Sequence, residues 1–153
     1  MIIPNIITIS GLIIVLFSLY KYYITNNANY IIIAFIGFSC DFWDGYIARK
    51  YNMSSNLGNT LDKLVDKINQ IGILLLLIIK FNISPIYLFI YILREIIMYI
   101  MRKNNMKPVS SSFYGKLKTF LFPILLILFH YNIIYRNIYL DLLTIFNFVT
   151  LLL

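Results

Sequence analysis

Long apolar runs, broken only by short polar intervals, set the rhythm of the chain. Six stretches fall at about residues 4–20, 29–50, 58–80, 84–102, 114–131 and 136–153. Each is close to the roughly 17–25 residues that a helix needs to cross a bilayer. The second and third are the least purely apolar, and the short sixth is interrupted by Asp141 and Asn147. Tyrosines gather near the ends of the stretches, at Tyr20, Tyr22, Tyr23, Tyr30, Tyr51, Tyr131 and Tyr135, as an interfacial aromatic belt does. No repeat, low-complexity tail or soluble domain stands out. The pattern predicts an all-α, polytopic membrane protein with about six transmembrane helices, built as a single domain over residues 1–153. Residues 2–20 lack a basic start and a small-residue cleavage site, so they read as a retained span and not as a signal peptide.

Composition agrees with this reading. Hydrophobic residues make up 61% of the chain and charged residues 12%, with a mean hydropathy of +0.83. A soluble domain carries about 25% charged residues, so much of the apolar surface must face something other than water. The single Cys40 excludes an internal disulfide. The net charge of +7 forms no basic stripe of the kind nucleic acid needs. It is better explained by topology and by attraction to anionic lipid or a phosphorylated substrate. Arg49, Lys50, Arg102, Lys103, Lys107, Lys116 and Lys118 flank one set of span ends, against Lys21, Lys80 and Arg136 on the other. The positive-inside rule then places both termini, and the basic end of the second span, in the cytosol.

Four of the six acidic residues lie within 26 positions, at Asp41, Asp44, Asp62 and Asp66. Carboxylates at membrane depth are costly and normally face a polar cavity. Four together repel one another unless a cation lies between them, and a divalent metal is the usual solution. Asp41 and Asp44 are three apart and Asp62 and Asp66 four apart, so each pair shares a helix face. Between the pairs, Tyr51 to Leu57 is rich in Asn and Ser, which predicts a turn with Ser54, Ser55 and Asn56 as helix caps. An antiparallel hairpin follows, with both pairs at similar depth inside its cytosolic edge. Gly45 and Ala48 leave room for a ligand, and Arg49 at the mouth suits a phosphate. The pattern points to a metal-dependent membrane enzyme. A cation pathway in a small, non-enzymatic transport protein would also use the carboxylates, but it gives Arg49, Gly45 and Gly58 no role.

Read together, Asp41-x-x-Asp44-Gly45-x-x-Ala48-Arg49, eight residues, then Gly58-x-x-x-Asp62-x-x-x-Asp66 resembles the signature of the CDP-alcohol phosphatidyltransferases. Eight specified residues at about 5% usage recur by chance on the order of once in 10^10 windows. The resemblance implies a six-helix membrane enzyme, often a dimer, that moves a phosphatidyl group from CDP-diacylglycerol to an alcohol acceptor and releases CMP. It implies two divalent cations, Mg2+ or Mn2+, on Asp41, Asp44, Asp62 and Asp66, with Asp66 also the base that activates the acceptor hydroxyl. Asp44, Gly45, Ala48, Arg49 and Gly58 would line the CDP site.

Weaker likeness covers most of the chain. Pro4-Asn5-Ile6-Ile7-Thr8 is similar to the opening of the family. Leu61 to Lys67, Arg94-Glu95 and Gly115 to Thr119 resemble most the branch that makes phosphatidylglycerophosphate. That branch usually has Pro where Lys63 stands, Gln where Phe122 stands and Arg where Gly11 stands. Glycerol 3-phosphate is therefore the leading acceptor, with Arg94, Arg102, Lys116, Lys118 and Thr119 as its candidate site. Inositol or its phosphate, serine and phosphatidylglycerol stay open. The choline and ethanolamine branch fits less well, because Leu64-Val65 replaces its His-Gly. Arg94 with Glu95 also reads as an intramembrane ion pair, and Lys116 and Lys118 as topology anchors. Gly11, Gly37 and Gly72 read as close helix contacts, Cys40 as packing, Trp43 as packing or interface, and Pro123 as a kink in the fifth span.

Overall fold

Apolar runs of this length satisfy their backbone polar groups internally only as helices, and the described residues form six. They are α1 (Ile2–Thr25), α2 (Asn29–Lys50), α3 (Asn56–Phe81), α4 (Ile86–Lys103), α5 (Phe113–His130) and α6 (Arg136–Leu152). The computed structural model describes the backbone of residues 2–51, 56–103, 113–131 and 135–152, with the side chains of most of them. Among the described residues there is no strand. Ser54 and Ser55, expected as caps, lie outside them, while α3 begins at the third expected cap, Asn56. By length and composition, Pro4–Thr25 in α1 and Asn29–Ile47 in α2 can each cross a membrane. The others carry more charge or are shorter: α3 holds Asp62, Lys63, Asp66, Lys67 and Lys80, and α4 holds Arg94, Glu95, Arg102 and Lys103.

The helix ends follow from asparagine and serine chemistry. Asn26 and Asn82, the residues just after α1 and α3, adopt positive φ angles of 55° and 51°. Asparagine tolerates this left-handed conformation better than most residues. The Asn26 amide closes α1 by donating to the Tyr22 carbonyl at 3.0 Å. The next helix is then capped by a side chain: Asn27 Oδ1 accepts from the Asn29 amide at 2.9 Å. Ser84 Oγ does the same for the Ile86 amide at 3.4 Å, with Pro85 between them, where a missing N–H costs nothing.

The contacts gather into two units, Met1–Leu76 and Leu77–Leu153. In the first, α1 presents Gly11, Val15, Ser18, Leu19 and Tyr22, and α2 presents Ile31, Ala34, Gly37 and Phe38, all buried. Gly11 and Gly37 bring the two backbones together. A Cβ on Gly11 would lie 2.9 Å from Cys40 Cβ and 3.0 Å from the Gly37 carbonyl oxygen. A Cβ on Gly37 would lie 2.7 Å from Val15 Cγ2 and 3.0 Å from the Gly11 oxygen. Small residues let helices approach this closely where no hydrophobic effect drives them together. α3 meets α1 more loosely, a Cβ on Gly72 lying 3.3 Å from Leu19 Cδ1. Ile6, Ile13, Phe17, Tyr20 and Ile24 point out from α1, and Ile32, Ile36, Trp43 and Tyr46 from α2. These outward stripes are what acyl chains would cover.

In the second unit, Tyr91, Phe122, Leu125, Leu126, Phe129, Leu140 and Leu143 are buried. Phe81 meets Phe129 at a centroid distance of 5.4 Å, and Tyr91 meets Phe122 edge-on at 5.8 Å. A polar seam joins α4 to α6: Tyr87 donates to Asp141 Oδ1 at 2.6 Å, and Arg94 Nε donates to the Asn147 carbonyl at 3.3 Å. Pro123 removes one backbone hydrogen bond, yet α5 runs through it as one continuous helix.

The glycine contact yields a test. Alanine favours a helix by about 1 kcal/mol over glycine, while overpacking a tight contact costs about 1–3 kcal/mol. At Gly37 the obstacles include a backbone oxygen, so Gly37→Ala should lower the unfolding midpoint in detergent. Gly72→Ala, which meets only the flexible ends of Leu19 and Leu16, should leave the midpoint unchanged or raise it. Equal midpoints for the two variants would show that the α1–α2 contact gives way.

Candidate active site

All four motif aspartates belong to the first unit, on two consecutive helices. Asp44 lies six residues before the end of α2 at Lys50, and Asp62 six residues after the start of α3 at Asn56. At about 1.5 Å per residue both sit about 9 Å from the connection. Asp41 and Asp66 lie one turn further in. The connection spans residues 51–55, a length used by antiparallel helix hairpins. Matched depth is therefore a consequence of spacing alone.

On α3, Gly58, Asp62, Asp66, Asn69, Ile73 and Leu77 fall along one face, successive members three or four residues apart. Asp62 and Asp66 are half-buried. Below them Asn69 and Gln70 are only 2% and 3% exposed, and the face then turns wholly apolar at Ile73 and Leu77. The face thus grades from carboxylate to amide to hydrocarbon with depth. Sequence reasoning singled out the carboxylates and passed over the amides. The signal was present, since Asn69 and Gln70 open an otherwise apolar run at three- and four-residue spacing from Asp66.

On α2 the helical register puts Asp41 and Asp44 on the side away from Trp43, Tyr46 and Lys50. Those three are exposed and hold one another: the Trp43 and Tyr46 rings stack edge-on at 6.2 Å. Lys50 Nζ lies 5.6 Å from the centre of the Tyr46 ring and 5.8 Å from that of Tyr51, within cation–π range. An aromatic and basic cluster of this kind suits the boundary between hydrocarbon and headgroups. Cys40 packs against Gly11, as expected of a packing residue.

The side chains of Asp41, Asp44, Ala48 and Arg49 lie outside the described residues. Among the described residues no group of three or more His, Cys, Asp or Glu side chains is placed to hold a metal ion. The expected acceptor residues belong to the second unit. Arg94 is 7% exposed and forms an ion pair with Glu95 besides its bond to Asn147. Arg102 sits in the last turn of α4, and Lys116, Lys118 and Thr119 in the first turns of α5; the side chains of these four also lie outside the described residues.

Comparison with known proteins bears on the whole chain. A sequence model of the CDP-alcohol phosphatidyltransferase family matches residues 1–153. A protein of Rickettsia typhi, named CDP-diacylglycerol–glycerol-3-phosphate 3-phosphatidyltransferase, is 32% identical over 129 residues, covering 77% of this chain and 70% of its own. Proteins of the same name from Wigglesworthia glossinidia brevipalpis and Aquifex aeolicus are 36% and 32% identical. These cover 76% of this chain each, and 70% and 68% of their own. The all-helical, apolar chain is thus a membrane enzyme, and it belongs to the CDP-alcohol phosphatidyltransferase family.

Proposed function

We propose that this enzyme transfers the phosphatidyl group of CDP-diacylglycerol to glycerol 3-phosphate, releasing CMP, and so serves phospholipid synthesis. The observation that carries the reaction is the set of four aspartates on α2 and α3 at paired depths from one short connection. The acceptor is supported by the names of the relatives. The chain would cross the bilayer several times, with the motif end of the α2–α3 pair facing the cytosol. The exposed Trp43, Tyr46 and Lys50 cluster supports a boundary at that level.

Four anionic oxygen donors on two adjacent helices, two of them half-buried on one face of α3, fit hard divalent cations such as Mg2+ or Mn2+. Asp41, Asp44, Asp62 and Asp66 would hold them. When bound, such cations neutralise a pyrophosphate and stabilise the departing phosphate. Gly45, Ala48 and Gly58 keep side chains out of the space the nucleotide needs, and Arg49 would grip a phosphate in two places. Asp66 accepts the proton of the acceptor hydroxyl as its oxygen attacks the lipid-bearing phosphorus. The bond from that phosphorus to the CMP oxygen breaks, and CMP leaves with the electron pair. The acceptor phosphate requires positive charge. Because Arg94 is tied to Glu95 and to the Asn147 carbonyl, much of that duty falls on Arg102, Lys116 and Lys118, with Thr119 as a hydroxyl donor.

Three measurements test this reading. Asp66→Asn should cut turnover by about 10²–10⁴-fold, the usual worth of a general base, with a smaller shift in magnesium dependence than Asp62→Asn. Asp62→Asn should instead raise the magnesium concentration needed for half-maximal release of CMP. Rescue of Asp66→Asn by excess magnesium, with no rescue of Asp62→Asn, would reverse the two roles.

For the acceptor, Lys118→Ala should raise the KM for glycerol 3-phosphate by about 10–150-fold, the worth of a charge-assisted hydrogen bond. The KM for CDP-diacylglycerol should move far less. An enzyme that ignores glycerol 3-phosphate and uses inositol or serine would sink the acceptor while leaving the transfer reaction in place.

For orientation, single cysteines at Asn27 and Tyr51 in a Cys40→Ala background should label from opposite sides of sealed vesicles, Tyr51→Cys from the cytosolic side. Labelling of both from one side would refute the arrangement.

A further inference from the structure

Polar atoms buried without a partner are rare in folded proteins, and each one calls for an explanation. Asn69 presents such a case. The residue is 2% exposed, and among the described residues its Oδ1 is buried with no hydrogen-bond partner. It sits on the same face of α3 as Asp62 and Asp66, three residues beyond Asp66 and seven beyond Asp62. Nothing in the apolar face below it, at Ile73 and Leu77, can donate a hydrogen bond. The oxygen that lacks a donor is thus next in line, with depth, after the carboxylate that would take the acceptor's proton.

Resting on the glycerol 3-phosphate reading above, we propose that Asn69 determines acceptor specificity, its Oδ1 accepting a hydrogen bond from the hydroxyl adjacent to the attacking one. The chemistry of the acceptor fits the spacing. Helix neighbours three residues apart have Cβ atoms about 5–6 Å apart, and both side chains can converge on groups as close as two vicinal hydroxyls. The primary hydroxyl of glycerol 3-phosphate gives its proton to Asp66, and the secondary hydroxyl donates to Asn69. A carboxylate at this position would add a fifth negative charge to the site. A neutral amide supplies an acceptor without one.

A site that hydrogen-bonds a substrate hydroxyl rejects an analogue lacking it, because its own buried group is left unpaired. 3-Hydroxypropyl phosphate keeps the attacking hydroxyl and the phosphate of glycerol 3-phosphate and lacks only the secondary hydroxyl. The experiment measures CMP release by the membrane-embedded full chain with each of the two acceptors, for the wild type and for Asn69→Leu. Leucine is close in size and removes the orphaned oxygen, a change that is often neutral for folding.

The wild type should favour glycerol 3-phosphate in kcat/KM by on the order of 10–100-fold. Asn69→Leu should bring that ratio close to one, with the KM for CDP-diacylglycerol unchanged. A purely structural Asn69 would scale both acceptors together and leave the ratio in place, which overturns the assignment. A wild type that uses both acceptors equally overturns it without any variant. A wild type that uses neither phosphate acceptor overturns the acceptor reading and this assignment with it. Use of glycerol 3-phosphate with an unaltered ratio overturns the role of Asn69 alone.

Discussion

The close approach of Gly11 and Gly37 fixes the rotation of α2, and the motif depends on that rotation. Once α2 is pressed against α1 through Gly37 and Cys40, with carbonyl oxygens where side chains would otherwise stand, its other faces have no freedom. Ile32, Ile36, Trp43 and Tyr46 must point outward, and they are exposed. Asp41 and Asp44 follow Gly37 at four- and seven-residue spacing, which by register sets them on the stripe opposite those outward residues. A Cβ at either glycine would push the helices apart. Fixing this geometry through backbone contact makes sense in a membrane, where apolar side chains gain little by leaving lipid for one another.

Depth is the second constraint. Carboxylates can reach membrane depth only where something compensates them, and the chain keeps all four within two or three turns of a helix end. The grading along α3 makes the same point from the other side. On the face of Asp62 and Asp66, charge stops at Asp66, the buried amide of Asn69 occupies the next turn, and Ile73 and Leu77 follow. Further out, Lys50 draws its charge over the Tyr46 and Tyr51 rings, so the polar end of the hairpin is held at the level where rings and ammonium groups are both well solvated.

Much of this was legible in the residues. Six apolar runs became six helices with ends within a few residues of the expected ones, because apolar run length and asparagine or serine punctuation are local signals. The role of Gly11, Gly37 and Gly72 was legible for the same reason: three small residues in apolar helices have few uses other than close approach. The four aspartates were legible because they break the pattern so sharply. What the residues hid were pairings across distant turns of chain. Tyr87 with Asp141, and Arg94 with the Asn147 carbonyl, join positions more than fifty residues apart, and no periodicity announces them. Asp141 and Asn147 looked like blemishes in a weak sixth span. In the structure they are the reason α6 has a defined seat against α4.

The two units therefore use their polar residues in different ways. In the second, Tyr87, Asp141, Arg94 and Glu95 are turned on one another and on the backbone, which fixes the register of α4 against α6. In the first, Thr8, Ser10, Ser18 and Ser39 return their hydroxyls to carbonyls of their own helices, which lets them pass through apolar surroundings without needing a neighbour. On α3, by contrast, the buried amide oxygen of Asn69 has no donor among the described residues. That oxygen shares a helix face with two motif aspartates, and it makes physical sense as a group whose partner arrives with the substrate.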